Sequence, residues 1–206
     1  MDKITLDTIL TGSAAAKKLS QICDRIDAGE IFIYPTETIY GIGGKAGKEG
    51  VRQEIVNAKK RKLDRPMLLL ADKKETFSQF NVDFPPAAQL LSGIFWPGFL
   101  TLVLPVKNEN ETLAVRVSRH PFIQAIFTRI KAPIFSTSAN LSGNDYKNDP
   151  DEIFSIFSKR VDFMVDAGKL ASSRPSTIVR VLPDNTVKII REGAISTEQI
   201  KSVINR

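Results

Sequence analysis

Cysteine and histidine are almost missing from this 206-residue chain, which carries one of each, Cys23 and His120. A single thiol excludes an intramolecular disulfide and a cysteine zinc cluster, and one histidine beside it leaves a zinc site short of ligands. Cys23 falls among Leu19, Ile22 and Ile26 at helical spacing, the setting of a small buried hydrophobe rather than a reactive thiol. A Ser-His-Asp relay would have to pass through His120, and no nucleophile-elbow phrase supplies the serine. Its place before Pro121, at an expected helix start, suits a cap. The phosphate loop G-x-x-x-x-G-K-S/T and the dinucleotide phrase G-x-G-x-x-G are both absent. No apolar run approaches the roughly 20 residues that cross a bilayer. The start, Met1-Asp2-Lys3-Ile4-Thr5, lacks the long apolar core of a signal peptide, so a cytoplasmic setting without membrane contact is expected.

What is present is an ordinary globular composition with a positive excess. Lysine and arginine number 29 against 23 acids, a net charge of +6, which favours anionic partners such as nucleotide phosphates or an RNA backbone. No repeat or linker divides the chain, so residues 1–206 are expected to form one domain that buries roughly 70% of its unfolded surface. Ser13 can cap a helix through about Asp27, stopped by Gly29. Strand Ile31-Phe32-Ile33 runs into Pro35, and a helix from about Glu49 ends in the basic run Lys59-Lys60-Arg61-Lys62. Met67 to Ala71 reads as a buried strand, Pro86 opens a helix through Leu91, and Leu100 to Val106 pairs in a hairpin with Leu113 to Val117 across Asn108-Glu109-Asn110-Glu111. Further helices begin at Pro121, Asp149-Pro150 and Thr197; further strands are Pro133 to Phe135, Val161 to Val165, Thr177 to Leu182 and Val187 to Ile190. Helices and strands intermix while hairpins break strict alternation. The expected fold is α/β, a layered, twisted sheet of mixed parallel and antiparallel strands with flanking helices.

Two phrases carry most of the chemistry. Tyr34-Pro35-Thr36-Glu37-Thr38-Ile39-Tyr40-Gly41-Ile42-Gly43-Gly44 leaves a buried strand at a proline, which fixes the exit direction. Its glycines are expected to let backbone amides approach a ligand, the alternative being a plain chain reversal. Downstream stands Ser136-Thr137-Ser138-Ala139-Asn140-Leu141-Ser142-Gly143. Polar residues therefore gather at strand ends (Thr36, Thr38, Ser136, Ser138, Asn140 and Ser176), where open α/β sheets place ligands. Lys59, Arg61, Arg116 and Arg191 stand with them. Each has a plainer reading. Arg116 alternates with Val115 and Val117 and could simply face solvent. The run from Lys59 could be a solvated helix end favoured by the dipole, and Ser138 and Asn140 could cap a turn. On a continuous helix Lys59 and Arg61 would point about 200° apart, so both reach one ligand only if the helix stops near Lys59.

These phrases, taken in order with Ala58-Lys59-Lys60-Arg61, Phe95-Trp96-Pro97-Gly98, Ala114-Val115-Arg116, His120-Pro121, Ser176-Thr177-Ile178-Val179 and Arg191-Glu192-Gly193, resemble the YrdC-like family of threonylcarbamoyl-AMP synthases. The resemblance implies an L-threonylcarbamoyladenylate synthase that makes threonylcarbamoyl-adenylate and pyrophosphate from L-threonine, bicarbonate and ATP for tRNA modification, with Mg2+ accompanying ATP and no metal ligands from the chain. It implies that Thr36, Arg116, Ser136 and Ser176 bind threonine, and that Lys59, Arg61, Ser138, Asn140 and Arg191 bind ATP, with Lys59 and Arg61 catalytic. It implies the short single-domain form, contact with tRNA or double-stranded RNA, and other proteins of the tRNA threonylcarbamoylation pathway as partners. The rival is a non-catalytic RNA-binding module of the same fold. The chain departs from the family pattern at Lys62, where relatives have proline before the Arg65-Pro66-Met67-Leu68 match. It also departs near Leu70, where many relatives place histidine, and at Asn144-Asp145-Tyr146-Lys147, where they have a serine-proline-threonine turn.

Overall fold

The computed structural model describes residues 1–61, 67–107, 109, 111–171 and 174–205. Lys62, Arg65 and Pro66 at the exit of the basic run, and Asn108 and Asn110 of the expected hairpin loop, lie outside them. The described residues build one ten-stranded mixed sheet. In chain order its elements are β1 (Asp2–Thr5), α1 (Asp7–Leu10), α2 (Ala15–Ala28), β2 (Phe32–Tyr34), β3 (Gly41–Lys45), α3 (Val51–Ala58), β4 (Leu68–Ala71), α4 (Pro86–Phe95), β5 (Leu100–Pro105), β6 (Thr112–Val117), α5 (Pro121–Phe127), β7 (Ile134–Ser138), α6 (Pro150–Phe157), β8 (Phe163–Asp166), β9 (Thr177–Val181), β10 (Val187–Arg191) and α7 (Thr197–Ile204), with a 3-10 segment at Lys74–Phe80. The strand order is β1-β8-β2-β3-β7-β4-β6-β5-β9-β10.

The mixed sheet with flanking helices is the expected architecture, and the β5–β6 and β9–β10 hairpins are antiparallel as read. Two local expectations fail. No side chain caps α2, whose N-cap is Ala14 rather than Ser13, and β1 and α1 were not anticipated. Gly29 does stop α2, in the left-handed region at φ 104°. The third difference concerns function. Gly41, Gly43 and Gly44 lie not in a loop but in β3, Gly41 and Gly43 paired with both β2 and β7 and Gly44 with β7, and of the three only Gly41 lines the cavity described below. Their missing side chains make room for neighbours. A Cβ on Gly43 would stand 2.4 Å from the Phe135 carbonyl oxygen and 2.8 Å from the Tyr34 ring, and one on Gly44 would stand 2.5 Å from Val51.

The helices bury their apolar stripes in two clusters. Ile22, Cys23 and Ile26 of α2, Phe122 and Ile126 of α5, Leu91 of α4 and Ile200 and Val203 of α7 join Phe32, Leu102, Val115 and Val179 in the larger one. Val51 and Ile55 of α3 and Ile153 and Phe157 of α6 pack with Ile33, Ile42 and Met164 in the second. One row of cross-strand partners is left without a helix above it among the described residues. It runs Ser136, Leu68, Ala114, Val103, Arg180, Lys188 from β7 to β10. Such partners share a face of the sheet, and this face is the floor of the site.

The end of α3 decides how the basic run is used. Lys59 caps the helix, and Lys60 takes the left-handed conformation at φ 50°. The Lys60 amide bonds the Asn57 carbonyl at 3.1 Å, and the Arg61 amide bonds the Val56 carbonyl at 3.0 Å. That pair of bonds is the Schellman ending, here with lysine where glycine is usual. The helix stops where the ligand argument requires, and Arg61 swings out of its periodicity. Because a side chain is strained in the left-handed region, Lys60→Gly should gain about 0.5–1 kcal/mol of stability. Urea denaturation checks this, and a loss of stability would mean the exposed lysine makes a compensating contact.

Candidate active site

Over the uncovered row lies a cavity of about 450 Å³. Every residue expected at the site lines it: Thr36, Lys59, Arg61, Arg116, Ser136, Ser138, Asn140, Ser176 and Arg191. Arg180 is a further lining cation, and no aspartate or glutamate is among the described residues that line the cavity. The cavity is therefore an anion receptor by composition.

Arg116 does not face solvent. Its side chain is 5% exposed, and its guanidinium is held from three directions. Nε donates to the Gly98 carbonyl at 2.8 Å, Nη1 donates to Thr38 Oγ1 at 3.1 Å, and Nη2 lies 3.0 Å from Glu37 Oε1. The last contact is electrostatic, since its angle is outside hydrogen-bond geometry. Glu37 is held in turn by Ser118, whose hydroxyl donates to Oε2 at 2.7 Å. Of the five guanidinium N–H groups, two hydrogen-bond within the fold and three are left over, on Nη1 and on the Nη2 that faces Glu37. The loop that presents Thr38 and Glu37 is built by Thr36, whose Oγ1 accepts from the Thr38 and Ile39 amides and donates to the Ile39 carbonyl at 2.7 Å.

Lys59 is 2% exposed, far from a solvated helix end. Its ammonium donates to the Ser138 carbonyl, to the Asn140 carbonyl at 2.6 Å and to Asn140 Oδ1 at 3.3 Å. Three protons meet three acceptors, and the lysine clamps the 138–140 segment in place. Arg61 reaches the same segment, with Nη1 donating to Thr137 Oγ1 at 3.2 Å. Burial, and after it the Arg61 charge, push the Lys59 pKa down to about 7. A folded pKa below the unfolded one means that charging the amine opposes folding below pH 7. That penalty is relieved as pH rises from 7 toward 10.5. Wild-type stability should thus climb by about 1 kcal/mol per pH unit between pH 7.5 and 9.5 relative to Lys59→Met. Parallel denaturation curves for the two proteins over this range would contradict the depressed pKa.

The far wall is knit from β5, β9 and β10. Thr101 Oγ1 and Ser176 Oγ share a hydrogen bond of 2.8 Å, and Arg191 Nη2 donates to the Ser176 carbonyl at 2.8 Å. Arg191 Nη1 donates to Tyr146 Oη at 3.2 Å, joining this wall to the loop after β7. Gly193 lets the segment at Ser176 pass, because a Cβ there would stand 2.2 Å from the Pro175 carbonyl oxygen. On the opposite side Tyr34 Oη, fully buried, donates to Ser136 Oγ at 2.6 Å. Burial raises the Tyr34 pKa, so the phenol stays protonated. His120 is a cap, its Nδ1 accepting from the Phe122 amide at 3.3 Å, and it is not among the lining residues.

The sequence reading passed over Glu37, Thr101, Tyr146 and Arg180. Glu37 could have been found as the acid that a buried Arg116 demands. Arg180 and Thr101 were visible as polar residues alternating with the buried apolar positions of β9 and β5.

Residues 24–193 match the Sua5/YciO/YrdC family model, described as telomere recombination. The chain is 31% identical over 196 residues to a threonylcarbamoyl-AMP synthase of Bacillus subtilis (strain 168), covering 91% of this chain and 56% of that protein. It superposes on Pyrococcus abyssi Sua5 complexed with L-threonine with a TM-score of 0.86 at 26% identity, covering 98% of this chain and 60% of that one. On Escherichia coli YciO the TM-score is 0.81 at 23% identity, with 97% and 98% covered, a likeness of fold. The chain spans about half the length of the curated relatives it matches.

Proposed function

The chain belongs to the Sua5/YciO/YrdC family, and we propose that it is a threonylcarbamoyl-AMP synthase, joining L-threonine, bicarbonate and ATP into threonylcarbamoyl-adenylate with release of pyrophosphate. The observation that carries this reading is the meeting of Lys59, Arg61, Arg116 and Arg191 with Ser138, Asn140 and Ser176 around one cavity to which the described residues bring no acid. A relative of the same fold, P. abyssi Sua5, has been solved with L-threonine. Bicarbonate takes up a proton and loses water to give carbon dioxide, which the threonine amine captures as a carbamate, losing a proton. A carbamate oxygen then attacks the α-phosphorus of ATP, and the bond to the bridging oxygen of pyrophosphate breaks. No covalent enzyme intermediate is required. The reaction needs two anions aligned and their repulsion offset.

In this reading the N–H groups of Arg116 that make no hydrogen bond within the fold hold the threonine carboxylate, with Ser136, Ser176 and the Thr36 loop shaping the pocket around it. Arg61 faces the reacting phosphate and carbamate. Lys59 keeps Ser138 and Asn140 in place for the nucleotide and adds its charge, and Arg191 closes the far end. The described residues offer no cluster of three or more His, Cys, Asp or Glu for a metal, and the lining carries no carboxylate. Mg2+ accordingly fits as part of the nucleotide complex, where it would share phosphate charge. A cytoplasmic setting and a downstream tRNA acceptor follow from the same reading, and no helix among the described residues is long and apolar enough to cross a membrane.

The test is pyrophosphate release from ATP with threonine or bicarbonate withheld in turn. Release should need both. Release without either, or tight salt-sensitive RNA binding with no turnover, would replace this function with a nucleotidase or an RNA module.

A further inference from the structure

β10 carries an irregularity that changes which way its last residues point. Lys188 pairs with Arg180 and Ile189 with Val179, but Arg191 pairs with Ile178, so Ile190 is the extra residue of a β-bulge. Under strict alternation Arg191 would lie on the opposite face from Lys188. The bulge turns it to the same face, where Arg180, Ile190 and Arg191 all line the cavity. Three cations are thereby gathered at the outer corner of the sheet.

No ion pair among the described residues neutralises them. Arg180 and Lys188 are exposed, face each other directly across β9 and β10, and enter no ion pair or side-chain hydrogen bond among the described residues. Like charges in that position destabilise a sheet. Asp184 in the hairpin turn feels Lys188, but its carboxylate is turned onto the Thr186 amide at 2.9 Å. Arg191 Nε is buried with no hydrogen-bond partner. A bulge that aims a third cation at two uncompensated ones, beside an orphaned donor, is the architecture of an anion site.

We propose that Arg180 and Lys188, with Arg191, form a phosphate subsite at the β9–β10 corner, four strands away from the Arg61 contact on β7. At about 4.8 Å per strand the two stations stand roughly 19 Å apart, so one phosphate group cannot serve both. The ligand chemistry is a phosphate dianion or diester, supplied either by a small polyphosphate or by a polynucleotide backbone. The subsite stands whether or not the adenylation reading does, because it is tested by anion binding alone.

The experiment compares wild type with the double variant Arg180→Gln/Lys188→Gln, checked for folding by thermal melting, using inorganic pyrophosphate and a single-stranded hexaribonucleotide as probes in calorimetry. Removing both cations should weaken one of the probes by about tenfold or more. A loss for pyrophosphate identifies a small polyphosphate as the occupant. A loss confined to the hexaribonucleotide identifies a polynucleotide phosphate. If neither affinity changes, the corner is ordinary solvated surface and the subsite is overturned.

Discussion

Replacing Arg116 with alanine should cost about 3–5 kcal/mol of folding stability and remove measurable binding of L-threonine. The stability loss comes from Glu37, whose side chain is 8% exposed and which would be left as a buried carboxylate holding only the Ser118 hydroxyl. Removing both charges together, as Arg116→Met/Glu37→Gln, should restore most of the stability, since an uncompensated buried charge costs more than none. Threonine binding should stay lost in that double variant, which separates the guanidinium's structural part from its part in recognition. Arg116→Lys should recover little affinity, because a lysine cannot bond Gly98 and Thr38 and still present a planar fork. Urea denaturation and threonine calorimetry on the three proteins check this. Unchanged threonine affinity in a folded Arg116→Ala protein would end the carboxylate assignment.

The second large effect is expected at the end of α3. Lys59→Ala and Arg61→Ala should each lower turnover by roughly 100-fold or more, for different reasons. At Arg61 a charge partner of the reacting groups is lost. At Lys59 the loss is also architectural, because the carbonyls of Ser138 and Asn140 and the Asn140 side chain give up their shared donor. Lys60→Ala should leave turnover near wild type, since Lys60 is exposed and its backbone alone makes the helix ending. Lys62→Ala should behave likewise. Equal, mild losses across all four variants would mean a diffuse electrostatic patch instead of two placed groups.

Much of this was readable before any coordinates. Arg116 stood out as a cation interrupting an apolar strand and Ser176 as a polar residue at a strand end, and the mixed sheet followed from hairpins set among helices. The helix break at Lys59 was required by the ligand geometry, although no glycine or proline marks it; the chain uses a strained lysine instead. Three things were hidden. Gly43 and Gly44 of β3 look like glycines that open the backbone to a ligand because close approach to a ligand and close approach to a neighbouring side chain ask for the same missing Cβ. Glu37 is silent because a carboxylate in a threonine-rich loop looks solvated until its partner is known to be buried. The bulge at Ile190 escaped because register is set by pairing across strands, which local alternation cannot report.

The contact between Tyr34 and Ser136 imposes a polarity on the cavity wall. A hydroxyl that accepts a hydrogen bond from behind keeps its own hydrogen free to offer forward. Tyr34 is locked as the giver by its burial, so Ser136 is biased to present hydrogen rather than a lone pair to whatever enters. The core thus dictates the sense of a group on the cavity wall five strands from the far edge. A ligand oxygen is favoured at that point over a ligand ammonium, and the preference resides in a ring that the ligand never touches. Tyr34→Phe would leave the shape of the wall intact and free Ser136 to rotate, making the pocket tolerant where it is now directional.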